Sequence, residues 1–179
     1  MGKVGVLGSF YRLLHPRPTA LIVSADKDGK PNVMACSWIT PASIEPPLLI
    51  ALLGEQSYTR NLIVECGEFT VNIPDSKLMK LVKVAGTTSG KNVDKFKRVK
   101  VELKPGRKVK VPVIWDCPAN IECKVKNTFE AGECLAIVGE VLDAYVDRKA
   151  FQRGQWKVKV PLHVWGSKFS YPGKAVKAW

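Results

Sequence analysis

Three short stretches carry side chains suited to holding a ligand. Between Pro31 and Thr40 stand Ala35, Cys36, Ser37 and Thr40, beside one large ring, Trp38. Past Gly54, the hydroxyls of Ser57, Tyr58 and Thr59 precede RNLIVEC, in which Leu62, Ile63 and Cys66 fall at helical spacing. Hydroxyls at the mouth of a helix cap its free N–H groups, and the same geometry suits a phosphate. In GTTSGKN at 86–92, Ser89, Gly90 and Lys91 bring together a hydroxyl, an unhindered backbone N–H and a cation. This is not a nucleoside-triphosphate P-loop: one residue is missing between the glycines, and Asn92 follows the lysine where Ser or Thr should stand. A strand edge and a helix mouth together can hold a flat ring by its rim and a phosphate at its tail.

The elements that must position these groups are mostly strands. Residues 8–15 predict a short helical lead-in, ended by Pro16 and Pro18. TALIVSA at 19–25 reads as a strand, and DKDGK supplies an Asp-Gly turn into a second strand over Pro31–Thr40. Pro47–Leu53 is a continuous apolar run of the kind a buried strand shows. A helix from Tyr58 to about Cys66 leads to a strand over Glu68–Ile73, then to a second helix, SKLMKLVKVAG, closed by Gly86. Residues 87–96 read as a loop, and 97–113 as a basic surface loop or weak hairpin broken at Pro105-Gly106. Ala119–Asn127 and Glu133–Asp147 predict two longer strands joined by a turn around Glu130–Gly132, before an aromatic-rich, irregular tail. The 179 residues, without repeat or low-complexity linker, indicate one domain, 1–179.

Composition narrows the classes. A content of 46% hydrophobic and 25% charged residues is globular rather than disordered. The five cysteines form no C-x-x-C pair and only two histidines accompany them, which argues against a disulfide framework or a zinc site. Free thiols in a reducing cytoplasm are the expectation. The N-terminus lacks a signal-peptide apolar core, Val6 breaks the myristoylation pattern, and no apolar run approaches a membrane span, so a soluble cytoplasmic protein is expected. The net charge of +12 permits anionic cofactors, nucleic acid or a solvated lysine-rich surface. Residues 91–110 hold nine basic residues against two acids, but only one aromatic, Phe96, and a Pro-Gly break. Nucleic-acid binding needs stacking platforms or a groove-reading helix beside the charge, so a solvated surface is the better reading.

Five motifs in order carry a resemblance. They are Gly29-Lys30-Pro31-Asn32; Trp38 through Pro46-Pro47-Leu48; Ser57-Tyr58-Thr59-Arg60-Asn61-Leu62; Glu68-Phe69-Thr70-Val71-Asn72-Ile73; and Ser89-Gly90-Lys91-Asn92-Val93-Asp94-Lys95-Phe96. Over roughly 16–165 the chain resembles the flavin reductase-like, FMN-binding split-barrel family, which includes flavoredoxins and archaeal FMN-binding ferric reductases. The resemblance implies a mostly β fold, a six-stranded Greek-key barrel with a few short helices, working as a homodimer. It further implies non-covalent FMN near the subunit interface, with NADH or NADPH as electron donor. The final acceptor, whether free flavin, ferric chelate, oxygen or a redox partner protein, stays open.

In that setting the candidate cofactor residues are Asn32, Met34, Ala35, Cys36, Ser37 and Trp38 for the ring, and Ser57, Tyr58, Thr59, Ser89 and Lys91 for the phosphate end. Each has a plain structural alternative. Trp38 is equally a packing residue, Cys36 a small strand residue, and Asn32 a support of the hairpin turn. Asp94, Lys95 and Phe96 could serve only as loop anchors, while His163 and Trp165 lie in a tail able to cover a flavin. No catalytic triad is expected, because a flavin carries the chemistry and the protein sets its orientation and potential. An FMN-binding electron carrier without NAD(P)H turnover is the second reading.

Overall fold

The computed structural model describes residues 2–177. Seven strands make one antiparallel sheet: β1 (Ala20–Ala25), β2 (Pro31–Cys36), β3 (Ile39–Ser43), β4 (Leu48–Gly54), β5 (Glu68–Ile73), β6 (Ala119–Ala131) and β7 (Cys134–Val146). Their order across the sheet is β2-β1-β5-β6-β7-β4-β3. Three helices accompany it: α1 (Tyr58–Cys66), α2 (Met79–Thr87) and the single turn α3 (Lys95–Arg98). Among the described residues no helix is long and apolar enough to cross a membrane.

Why TALIVSA has no polar alternation is visible in β1, where every residue is buried. Side chains of a strand alternate between faces. Ala20 and Ile22 enter a core with Leu53, Phe69 and Ile137, while Leu21, Val23 and Ala25 enter a second core with Leu81, Val82 and Ile114. Both faces of the sheet are therefore covered at this strand. Gly29 takes φ 79°, as the Asp-Gly turn between β1 and β2 requires.

Several expectations change. The strand over Pro31–Thr40 is broken: β2 pairs with β1 as far as Cys36, then Ser37 and Trp38 carry the chain to β3, which pairs with β4. The Trp38 carbonyl already accepts from the Leu52 N–H at 2.9 Å. β2 and β3 are thus the two edges of the sheet, and no ladder closes it into a barrel among the described residues. The apolar run of β4 is not buried throughout. Leu49, Ala51 and Leu53 point into the core, whereas Leu48, Ile50 and Leu52 on the opposite face are only partly buried.

Gly86 does not end α2. The helix continues to Thr87, and the Thr87 and Thr88 hydroxyls donate to the carbonyls of Lys83 (2.8 Å) and Val84 (2.7 Å). Nor is 97–113 only surface. Val109, Val111 and Val113 are buried. The fully buried Glu122 carboxylate of β6 gathers this loop by accepting from the N–H groups of Arg107 (2.8 Å), Lys108 (2.6 Å) and Val109 (3.2 Å). Burial by itself would push this carboxyl up; those N–H donors and the Tyr145 hydroxyl outweigh it and hold it below the usual carboxylate range.

The aromatic tail is less irregular than its composition suggests. β8 (Leu162–Trp165) and β9 (Lys168–Ser170) form a hairpin, and Arg17–Pro18 pairs with β8, so the N-terminal segment and the tail close over the same end of the sheet. The lead-in over Leu7–Leu14 is a 3-10 helix with no buried residue.

Candidate flavin cleft

Between the edge strand β2, the last turns of α2, the mouth of α1 and the β8–β9 hairpin run two adjoining cavities, about 530 and 280 Å³. Ala35, Gly86 and Thr87 line both and mark their junction.

The backbone of β2 explains why polar groups face this junction. Strand β2 pairs only with β1, so alternate residues turn their N–H and C=O groups away from the ladder. Val33 is one of these, because its carbonyl accepts from Lys95 Nζ at 2.7 Å. Two residues on, Ala35 presents its N–H and C=O in the same direction, into the cleft. The Cys36 thiol is buried and pushed up to about 11, mainly by desolvation, so it is a neutral thiol lining the larger cavity.

The smaller cavity lies at the mouth of α1. Ser57 is the N-cap: its hydroxyl oxygen accepts from the Arg60 N–H at 3.3 Å and its O–H points at Met34 Sδ, 3.4 Å away. Thr59 is 2% exposed, and its hydroxyl oxygen accepts from Asn32 Nδ2 at 2.8 Å. Gly90 packs so closely over this pair that a Cβ there would overlap Asn32 Oδ1 and sit 2.9 Å from the Tyr58 ring.

Of the residues expected to hold a cofactor, Met34, Ala35, Ser57, Tyr58, Thr59 and Ser89 line the smaller cavity, and Ala35, Cys36 and Ser37 the larger. Asn32 stands behind Thr59 and positions it. Trp38 and Lys91 line neither cavity. Trp38 packs against Tyr11, ring centroids 6.2 Å apart, and under the Arg17 guanidinium. Lys91 is exposed, its backbone N–H donating to Ser89 Oγ at 3.3 Å.

The cation that does reach the smaller cavity is Lys95, four residues later. It is 5% exposed, and Nζ donates to the carbonyls of Val33 and, at 3.2 Å, Ala85. Burial pulls this ammonium down to about 8. No carboxylate pairs with it among the described residues. One of its three N–H groups is left over. Asp94 caps α3 by accepting from the Lys97 N–H, and Phe96 packs against the second core, so those two are anchors. His163 lines the larger cavity, whereas Trp165 lies outside it beneath Arg12, 3.5 Å from the ring centroid.

The sequence matches the flavin reductase like domain over residues 11–171. The chain belongs to the flavin reductase-like family. An uncharacterized protein of Archaeoglobus fulgidus is 44% identical over 141 residues, covering 76% of this chain and 78% of its own. A flavin reductase (NADH) of Kitasatospora aureofaciens is 30% identical over 141 residues, 75% of this chain and 69% of its own. Among solved structures, the flavoredoxin of Methanosarcina acetivorans superposes with a TM-score of 0.87 at 29% identity, covering 99% of this chain and 95% of that one. A flavin-related redox function follows from this membership.

The cleft of this flavin reductase-like chain fits the parts of a flavin nucleotide. Free backbone groups at Ala35 match the polar rim of an isoalloxazine, and Met79, Val82 and Phe169 give the larger cavity an apolar wall. At the far end, the α1 N-terminus and the uncompensated charge of Lys95 suit a phosphate. Spacing alone does not distinguish Lys95. Its only sequence signal was a place in the Asp94-Lys95-Phe96 motif, beside several equally plausible lysines.

Proposed function

We propose that the protein is a single-domain oxidoreductase that binds FMN non-covalently, accepts a hydride from NADH or NADPH and passes the electrons to a further acceptor. The observation that carries this reading is the junction at Ala35. There, free edge-strand backbone groups lie between an apolar cavity sized for a ring and a cavity holding a buried, unpaired ammonium. When bound, the flavin supplies the electron-transfer chemistry. This chain's residues then bind and orient: Ala35 and Ser37 at the ring rim, and Ser57, Thr59, Ser89 and Lys95 at the phosphate, with Asn32 and Gly90 setting the position of Thr59. The Kitasatospora relative supports NADH as donor. The partly exposed Leu48, Ile50 and Leu52 face of β4 supports a homodimer.

An absorbance titration of the purified protein with FMN, followed by anaerobic NADH and NADPH in turn, tests this. Flavin bands that shift on binding and bleach with one nicotinamide are the expected result. Bound flavin that neither nicotinamide reduces would move the reading to an electron carrier. Absence of flavin binding would end it.

A further inference from the structure

A third cavity, about 670 Å³, opens where β5 ends, β6 begins and β7 ends, and it shares no lining residue with the flavin cleft. Its charge runs against that of the chain. Lys and Arg outnumber Asp and Glu by 28 to 16, yet three carboxylates line this cavity, those of Asp75, Asp116 and Asp147. None of them forms an ion pair among the described residues. Each spends one oxygen on a backbone N–H: Asp75 accepts from Lys77 at 2.9 Å, Asp116 from Glu102 at 2.8 Å and Asp147 from Lys149 at 2.8 Å. The second oxygen of each is left over. Two cations share the lining. Arg107 is already engaged, 3.7 Å from Asp143 and 3.8 Å above the Tyr145 ring, while Lys77 is exposed.

Asn120 distinguishes this cavity from a set of capped turns. It is 3% exposed, and both its N–H groups are spent, on Asn72 Oδ1 at 2.8 Å and on the Ile114 carbonyl at 2.9 Å. Two acceptors on that side fix the orientation of the amide. Its Oδ1 accepts no hydrogen bond among the described residues, and it belongs to the cavity wall. Acceptors of buried residues are satisfied in folded proteins, so the donor for this one comes from what the cavity holds. Beside it the Cys117 thiol is pushed up by burial and by Asp75 and Asp116, which places both carboxylates against one wall.

Four acceptor groups with one uncommitted cation among them call for a ligand that donates hydrogen bonds and carries positive charge. A bare metal ion does not fit, since no three His, Cys, Asp or Glu side chains among the described residues group closely enough to hold one. Carboxylates spread around a cavity of this size match charges spread along a molecule. Trp115, 40% exposed, lines the cavity with Leu78, Val146 and Val158 and gives apolar surface for the linkers between those charges. The Trp115 ring already receives one ammonium of this chain, Lys104 Nζ at 3.9 Å from its centroid.

We propose that Asp75, Asp116, Asp147 and Asn120, walled by Trp115, form a binding site for an organic polyamine, two or more ammonium groups joined by methylene chains. The ammonium groups donate to the free carboxylate oxygens and to Asn120 Oδ1, and the methylenes lie along the apolar wall. The site is separate from the flavin cleft and does not depend on the flavin reading.

Calorimetric titration of the full-length protein with spermidine at low ionic strength tests this. One saturable site per chain is expected, weakened by added salt and about tenfold or more by Asp116→Asn with Asp147→Asn. Asparagine keeps the oxygen that each aspartate offers to its backbone N–H, so the charge goes while the turn stays capped. Butylamine, with a single ammonium, should bind about tenfold more weakly than spermidine or worse. Absence of saturable binding overturns the proposal, as does unchanged affinity in the folded double variant. Butylamine or magnesium chloride binding as tightly as spermidine overturns it too. So does an equal loss in Glu55→Gln with Glu65→Gln, two exposed acids outside the cavity, because it would show attraction to surface charge alone. Should the first double variant fail to fold by circular dichroism, Asp147→Asn alone, at an exposed position, decides by the same criterion.

Discussion

Lys95 carries a charge into a place where two carbonyls receive it and no carboxylate balances it. A phosphate at the mouth of α1 would supply that balance, and on the proposed reading it is this lysine, and not Lys91, on which flavin affinity should turn. Lys95→Met is expected to weaken FMN binding about tenfold or more, the scale of one charge-assisted hydrogen bond, while Lys91→Ala leaves it nearly unchanged. Quenching of flavin fluorescence measures both, and equal losses in the two variants would show the phosphate placed wrongly. The same residue sets a pH dependence. The folded chain gives up this proton near 8 and the unfolded chain near 10.5, so between those values the unfolded state binds more protons. Stability of the flavin-free protein should therefore rise with pH across that window, and FMN affinity should fall as pH climbs through about 8. Urea melts above and below that pH show the rise in the wild type, and a flat profile in Lys95→Met confirms its source.

At the scale of elements, the loop between α3 and β6 is held by one side chain more than by its own pattern. Glu122 accepts from three successive N–H groups and from the Tyr145 hydroxyl at 2.9 Å, over which the Arg107 guanidinium stacks at 3.8 Å. Glu122→Gln should cost about 1.5–3 kcal/mol in urea unfolding, because charge-assisted acceptor bonds become neutral or are lost. The depressed carboxyl gives a matching acid dependence: its contribution is present above the ordinary carboxylate pKa and is lost as pH falls through the lowered one. Local pattern served well where it was strong. The helix opened by Ser57 and the strand Glu68–Ile73 lie where spacing placed them, since a cap and an apolar period act over a few residues. It served poorly at 97–113, where the buried valines alternate with lysines and the organising acid lies on a distant strand.

Over the whole molecule, one face of β4 is left only partly covered, the face on which the proposed homodimer would form. Leu48, Ile50 and Leu52 are half-exposed on a strand whose other side is fully packed. Ile50→Lys is expected to shift a homodimer to monomer in size-exclusion chromatography with light scattering, with the melting temperature of the monomer made concentration-independent. A wild-type protein that is already monomeric would refute the dimer. The amino-acid sequence by itself determined most of the run of strands and helices and the family, and singled out 32–38 with 57–59 as candidates for holding a ligand, because period, turn and cap chemistry are local. Only the tertiary structure decided which groups face one another. Nothing in spacing separates Lys91 from Lys95, or joins His15 and Arg17 to His163. Those relations follow from the register of β2 on β1 and of residues 17–18 on β8, which ladder hydrogen bonds and two-sided burial set across the length of the chain.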